Sequence, residues 1–375
     1  MIPRTLTSRV IDALHAPEPK VVLVFGPRRV GKTTLLRDVA QTLGGRQLFL
    51  NADFVDDAAL LRPERAPLAR LSGGLDALFI DEAQQVPEIG RVLKLLHDTY
   101  PRLRVVASGS ASFDLRERTG EPLTGRQHVF DLFPLSLVET GADVTTVGAS
   151  IEHAMVFGSY PEVFLTPNPD DKSALLRSLA AEYLLKDILA VTGVDRTRVL
   201  ELLRLLAFQI GSEVSYGELS RSSQLDIKTV TRYIDLLEHA FVVFRLGAFS
   251  RNLRKEIRKS RKIYFLDLGI RNALLNRFDP PALRDDVGGL WENYLVVERR
   301  KRNSYLRSPV QSWFWRTYDR QEIDYVEQEG DTLAAYEFKW TARGPVRAPV
   351  AWREAYPTAQ FHRIGRDEAE RFLRY

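Results

Sequence analysis

The chain has no cysteine. Disulfides and thiolate-bound metal centres are therefore excluded, and a reducing cytoplasm fits. Histidine is scarce too. His15, His97, His128, His153, His239 and His362 show no ligand spacing, which argues against a zinc site. No apolar run approaches the ~20 residues of a membrane span. The opening stretch MIPRTLTSRVIDALHAPEPK lacks the apolar core of a signal peptide. A cytoplasmic protein with no membrane contact is the expectation. Charge of one sign is also lacking: 53 Lys and Arg face 49 Asp and Glu, for a net charge of +4. Only the local placement of cations can then speak for or against nucleic acid.

What is present suffices for two to four domains, given 375 residues. The stretch around which the chain is organised is VVLVFGPRRVGKTTLL, Val21 to Leu36. A short apolar strand runs into Gly26, Pro27, Arg28, Arg29, Val30, Gly31, Lys32, Thr33 and Thr34, and a helix follows. This is the G-x-x-x-x-G-K-T phosphate-binding loop in its proper context. Glycines let backbone N–H groups turn inward towards phosphate oxygens, and the helix N-terminus faces the same anion. Lys32 is expected on the β- and γ-phosphates of ATP, and the Thr33 hydroxyl on Mg²⁺. Downstream, LDALFIDE ends an apolar strand in Asp81 and Glu82. The first carboxylate suits Mg²⁺, and the second suits polarising the attacking water. RVVASGSAS is a further strand, whose Ser110 or Ser108 could sit beside the γ-phosphate. His128 to Leu132 reads as a fifth strand, preceded by Arg116, Arg118 and Arg126. The order of these strands suggests a parallel sheet with crossover helices.

GPRRVGKTTLL, FIDEAQQVPE, ASGSAS, LTGRQHVFDLFPLSLVE and GSYPEV together resemble the AAA+-type prokaryotic ATPases that carry a C-terminal domain of long-uncertain function. The resemblance runs from the phosphate-binding loop nearly to the C-terminus. It implies an AAA+ core in which Asn51 restrains the catalytic Glu82 and Ser110 is the first sensor. It also implies that Arg126 stands where a neighbouring subunit's arginine finger arises, the alternative being a structural salt bridge. A finger acting in trans requires a homo-oligomer, for which a hexamer is one form.

The helical periodicity of Lys172 to Val191 suggests a lid on the nucleotide domain, with Arg177 and Lys186 on a solvated face. From Arg198 to Phe249 the pattern becomes helix, short helix, helix and alternating strand, a winged helix-turn-helix. Its third helix offers Lys228, Thr229 and Arg232 to a major groove. SRNLRKEIRKSRK follows, with Arg251, Arg254, Lys255, Arg258, Lys259, Arg261 and Lys262 crowded together. Such a run suits salt-sensitive, sequence-independent DNA binding, or is an ordinary solvated charge run. By the resemblance, the family carries this basic stretch ahead of a K-x-Y-F-x-D-x-G segment, here KIYFLDLG with Asp267 and Gly269.

Beyond it, WENYLVVERRK is a helix carrying Glu292 and Glu298. Asp324 stands on one later strand and Glu337-x-Lys339 on the next, with Glu337 and Lys339 on one face by alternation. Two carboxylates there, Asp324 and Glu337, could gather Mg²⁺, and a lysine could orient or deprotonate a water. Either helix glutamate could complete the site. Asp324, Glu337 and Lys339 resemble the signature of the PD-(D/E)XK nuclease core, a scaffold that motor proteins often keep for DNA docking after losing catalysis.

The expected architecture is therefore α/β. Residues 1–140 form an AAA+ P-loop core with a parallel sheet, and 141–196 a helical lid. Residues 197–280 form a winged helix-turn-helix with a basic segment, and 281–375 a nuclease-like domain. The expected function is a Mg²⁺-ATP-hydrolysing protein that binds and remodels DNA, with branched or junction DNA as one target. The alternatives are an ATP-gated endonuclease and a STAND-type signalling switch that uses ATP to control assembly.

Overall fold

β1 (Val21–Gly26) is buried along its whole length. That is what an apolar strand covered on both faces should show. In the computed structural model β1 lies between two parallel neighbours, β4 (Arg104–Ser110) and β5 (Gln127–Asp131). β3 (Ala77–Asp81) and β2 (Gln47–Asn51) extend the sheet in the order β2-β3-β4-β1-β5, parallel throughout. The register pairs Gly26 with Ser110 and Asn51 with Asp81. Strand ends carrying expected site residues thus share one edge, the carboxyl edge at which open α/β sheets bind ligands. The structure describes residues 2–110, 123–183, 193–250, 261–341 and 347–374. Arg116, Arg118, Lys186, Arg251, Arg254, Lys255, Arg258 and Lys259 lie outside the described residues.

The chain divides into two units, the first built mainly on residues up to Phe133 and the second on those from Pro134 onward. The second unit holds a six-stranded sheet in the order β11-β10-β9-β8-β6-β7. Its strands are β6 (Val243–Phe249), β7 (Arg261–Phe265), β8 (Gln311–Arg316), β9 (Glu322–Glu329), β10 (Thr332–Phe338) and β11 (Gln360–Ile364). Three helices, Arg196–Phe208, Tyr216–Ser223 and Ile227–His239, precede the antiparallel β6–β7 hairpin. Ser215 caps the second of them through its hydroxyl, which accepts from the Glu218 amide.

One expected boundary is corrected. The hairpin assigned to a separate domain ending at 280 is part of the C-terminal sheet, because β6 pairs in parallel with β8 through Ala248–Phe314 and Phe249–Trp315. The segment read as a lid on the nucleotide domain is bonded within the second unit. Its helix Val147–Phe157 ends against the helix Leu268–Leu275, where Asn272 Nδ2 donates to the carbonyls of Met155 and Val156 at 2.9 and 2.8 Å. Asp267 caps that helix by accepting from Ile270 N at 3.1 Å, and it also accepts from Ser159 N at 2.7 Å. A Cβ on Gly269 would lie 2.2 Å from the carbonyl oxygen of Phe157, so only glycine allows this approach. KIYFLDLG is thus explained partly as a packing motif. Burial raises the Asp267 carboxyl above its ordinary range, against the backbone amides that favour its charge.

Candidate functional site

The nucleotide pocket forms where β1 gives way to the helix Lys32–Leu43. Gly31 turns the corner with φ at 97°, a left-handed conformation that side chains resist. Lys32 is buried, and its ammonium donates to the carbonyls of Gly26 and Pro27 at 3.1 and 3.0 Å. The loop is braced from behind by Arg4, which donates to the Val30 carbonyl at 2.8 Å and the Phe133 carbonyl at 2.6 Å. No sequence signal marked Arg4, since its partners lie in the phosphate-binding loop and just past β5.

Asp81 receives two hydroxyl donors. Thr33 Oγ1 donates to Oδ2 at 2.6 Å, and Ser108 Oγ donates to Oδ1. Thr33 and Asp81 therefore meet as expected for a pair that would share Mg²⁺, and the donor set, two hydroxyls and a carboxylate, is hard oxygen chemistry that suits it. Glu82 adopts φ 51° beyond the strand end. Its carboxylate accepts from Gln84 Nε2 at 2.5 Å, and the same amide reaches Ser110 Oγ at 3.0 Å. Gln84, which the sequence reading did not single out, thus joins the two residues expected to act at the γ-phosphate.

Asn51 bonds within its own turn. Its side-chain oxygen accepts from Asp53 N at 3.0 Å, and its own amide donates to Asp57 at 2.8 Å. It shapes the turn after β2, while Gln84 is the residue bonded to Glu82. Arg126 donates to Asp98 of its own chain at 2.8 Å, matching the salt-bridge alternative. Hydrogen bonds from His97 and Arg126 hold the Asp98 carboxyl below its ordinary range. An exposed pair of this kind is worth little, about 0–1 kcal/mol.

A second cluster of charge sits in the second unit. The helix Val287–Leu306 is fixed to β7 by Asn293, whose amide bonds both N and O of Phe265 at 2.9 and 2.8 Å. This places Glu292 against Lys262: Nζ lies 2.8 Å from Glu292 Oε1 and 2.6 Å from Glu322 Oε1. Tyr264, two residues along on the same face of β7, donates to Glu292 Oε1 at 2.7 Å. Asp324 Oδ2 accepts from the Phe338 amide at 2.8 Å, and Lys339 pairs with Glu337 at 2.6 Å. Burial pushes the Glu292 carboxyl up to about 7, against the opposing pull of Lys262. Burial also raises Asp324 and Glu337, and the Asp324 charge adds to the rise at Glu337. For Lys262, burial works downward, but Glu292, Asp324 and Glu322 outweigh it and the net shift is upward. Glu322 and Tyr264 were missed by the sequence reading, although alternation along their strands was visible.

Of the two helix glutamates, Glu292 joins this cluster and Glu298 does not. Glu298 accepts from the Leu137 amide at 2.8 Å and pairs with Lys301 at 2.6 Å, which clamps the FPLSLVE segment. Lys262 is likewise withdrawn from the expected DNA-facing set, because it is 1% exposed while its neighbour Arg261 is exposed. On the helix Ile227–His239, Lys228 and Arg232 are exposed, but the Thr229 hydroxyl donates to Asp226 at 2.6 Å in the cap. Among the described residues, no group of three or more His, Asp or Glu side chains is placed to hold a metal ion. The acidic cluster therefore does not fit a divalent cation as it stands.

Residues 18–141 match the family described as an AAA domain. The fold and the pocket thus define an AAA-type P-loop ATPase domain. Residues 148–280 and 287–366 match two domains of unknown function, DUF8612 and DUF4143, the first of them spanning the boundary expected at 196. An uncharacterized protein of Mycobacterium tuberculosis is 33% identical over 346 residues, covering 90% of this chain and 74% of that one. The chain belongs to the family of that mycobacterial protein. An uncharacterized protein of Methanocaldococcus jannaschii is 24% identical over 338 residues, covering 78% of this chain and 70% of that protein. A Walker-type ATPase of Pyrococcus abyssi overlays with a TM-score of 0.48 at 15% identity, over 73% of this chain and 96% of that one, a likeness too loose to carry an argument. No helix among the described residues is long and apolar enough to cross a membrane.

Proposed function

We propose that the protein hydrolyses ATP and uses the cycle to act on DNA. The observation that carries the ATPase reading is the meeting of Lys32, Thr33, Asp81 and Glu82 at one sheet edge. Thr33 and Asp81 would hold Mg²⁺, whose positive charge would offset that developing on the phosphates. Lys32, held over the loop carbonyls at 3.0 and 3.1 Å, would turn to the β- and γ-phosphates. Glu82 would orient the attacking water, and Gln84 would release or restrain it according to what Ser110 senses.

Support for DNA comes from the second unit. The three helices followed by a hairpin have the order of a winged helix-turn-helix, and Lys228 and Arg232 are exposed on its third helix. Arg261 adds an exposed cation at the start of β7. Asp324, Glu337 and Lys339 keep the PD-(D/E)XK pattern on β9 and at the end of β10, and a docking role suits them better than cleavage because Lys339 already pairs with Glu337 and Lys262 with the neighbouring Glu292 and Glu322. Oligomer formation, with Arg126 exchanging Asp98 for a neighbour's nucleotide, belongs to the same proposal. The test is ATP turnover by the full chain with and without duplex, forked, junction and single-stranded DNA. Stimulation by one of these is expected. Turnover indifferent to all four would contradict the coupling.

A further inference from the structure

The second unit gathers four carboxylates, Glu292, Glu322, Asp324 and Glu337, in and around a nuclease-like core. A divalent cation needs such oxygens turned towards one point at about 2.0–2.6 Å. Here a cation of a different kind already meets two of them. The Lys262 ammonium contacts Glu292 and Glu322 at 2.8 and 2.6 Å, and its Nζ lies 5.6 Å from the centre of the Phe314 ring.

Lys262 is not a side chain that can easily swing aside. It pairs with Leu246 across the β6–β7 ladder, and an isolated bridge to Glu213 flanks it as well. Val214 N donates to the carbonyl of Arg261 at 2.9 Å and closes the same edge. Tyr264 occupies a further lone pair of Glu292. Moving the ammonium out would leave the buried Glu292 without its ion partner, while Glu322, about a third exposed, would keep Arg316.

We infer that Lys262 is a built-in counter-ion of the nuclease-like cluster, standing in for the divalent cation that such a set of acids would otherwise bind. The site therefore takes no Mg²⁺ or Mn²⁺ and performs no metal-dependent phosphodiester cleavage. The inference rests on the cluster geometry alone and does not depend on DNA being the partner. It also accounts for the retention of Asp324 without catalysis, since the Lys262 ion pairs tie β7, β9 and the helix Val287–Leu306 together and Asp324 holds the Phe338 amide of β10.

The test is a Mn²⁺ titration of the full-length, nucleotide-free protein, read by thermal melting and by the electron paramagnetic resonance of free Mn²⁺. Wild type, Lys262→Met, Lys262→Met/Glu292→Gln and Lys262→Met/Asp324→Asn are compared. Lys262→Met should melt lower than wild type, recover several degrees with Mn²⁺ and bind one ion more than wild type. Lys262→Met/Asp324→Asn should gain neither. Should Lys262→Met fail to fold, the Glu292→Gln double variant carries less unpaired charge and should show the same extra ion. Wild type that binds Mn²⁺ in a manner lost on Asp324→Asn would overturn the inference. So would the absence of an extra ion in both the Lys262→Met chain and its Glu292→Gln partner.

Discussion

The two units each hold an acidic site, and they differ in what satisfies the acids. At the nucleotide pocket, Asp81 is held by the hydroxyls of Thr33 and Ser108. In the second unit, Glu292 and Glu322 are held by a lysine ammonium. A hydroxyl is neutral and can rotate, so it yields readily to an arriving cation and can itself become a ligand. An ammonium is already a cation, and burying it with its partners leaves little reason to exchange it. The carboxylate group thus stands in two settings, hydroxyl-bonded at Asp81 and ammonium-bonded at Glu292 and Glu322.

The comparison can be broken most sharply at the open site. Glu82→Gln should lower ATP turnover by about 10²–10⁴-fold, the range for losing a positioned base, while nucleotide binding measured by calorimetry stays near wild type. Turnover within a few-fold of wild type would remove Glu82 from the chemistry. At the closed site, Lys262→Met should destabilise the second unit at pH 8, where Glu292 is ionised, by about 3–5 kcal/mol, the cost of leaving a buried charge unpaired, read by urea unfolding. The Lys262→Met/Glu292→Gln chain should recover part of that loss.

Proton linkage sharpens the contrast further. The Glu292 carboxyl holds its proton up to about 7 in the folded chain, against an ordinary value of 4.5. Folding therefore takes up a proton between those values, and the stability due to this group is greatest below them and is lost as pH rises through them. Urea unfolding from pH 5 to 8 should show this decline in wild type and a flatter profile in Glu292→Gln. Equal slopes would contradict the assignment. Smaller still, Gln84→Ala should change turnover by about tenfold, the rate equivalent of one hydrogen bond, without weakening nucleotide binding. Finally, Lys228→Ala and Arg232→Ala should each reduce the salt dependence of DNA affinity by about one unit of slope.

The candidate nucleotide site was legible because its pattern is local. Lys32, Thr33 and Asp81 are fixed by spacing within one loop and one strand end, and no long-range register is needed to find them. Gln84 was missed because its role depends on Ser110 of a neighbouring strand. The second unit was less legible for the same reason. Lys262 follows a run of cations and so reads as solvated, and only the pairing of β7 with β6 and the approach of Glu292 turn it inward. Glu292 and Glu298 share one helix, and periodicity could not say which faced Asp324. The continuity of β6 with β8 is a parallel pairing between distant segments, so the boundary at 280 looked natural in the sequence.

The most direct measurement is the number of Mn²⁺ ions bound per wild-type chain in the presence of a non-hydrolysable ATP analogue. One ion, unaffected by Asp324→Asn, is the predicted result. A second ion that disappears in the Asp324→Asn chain would contradict the account.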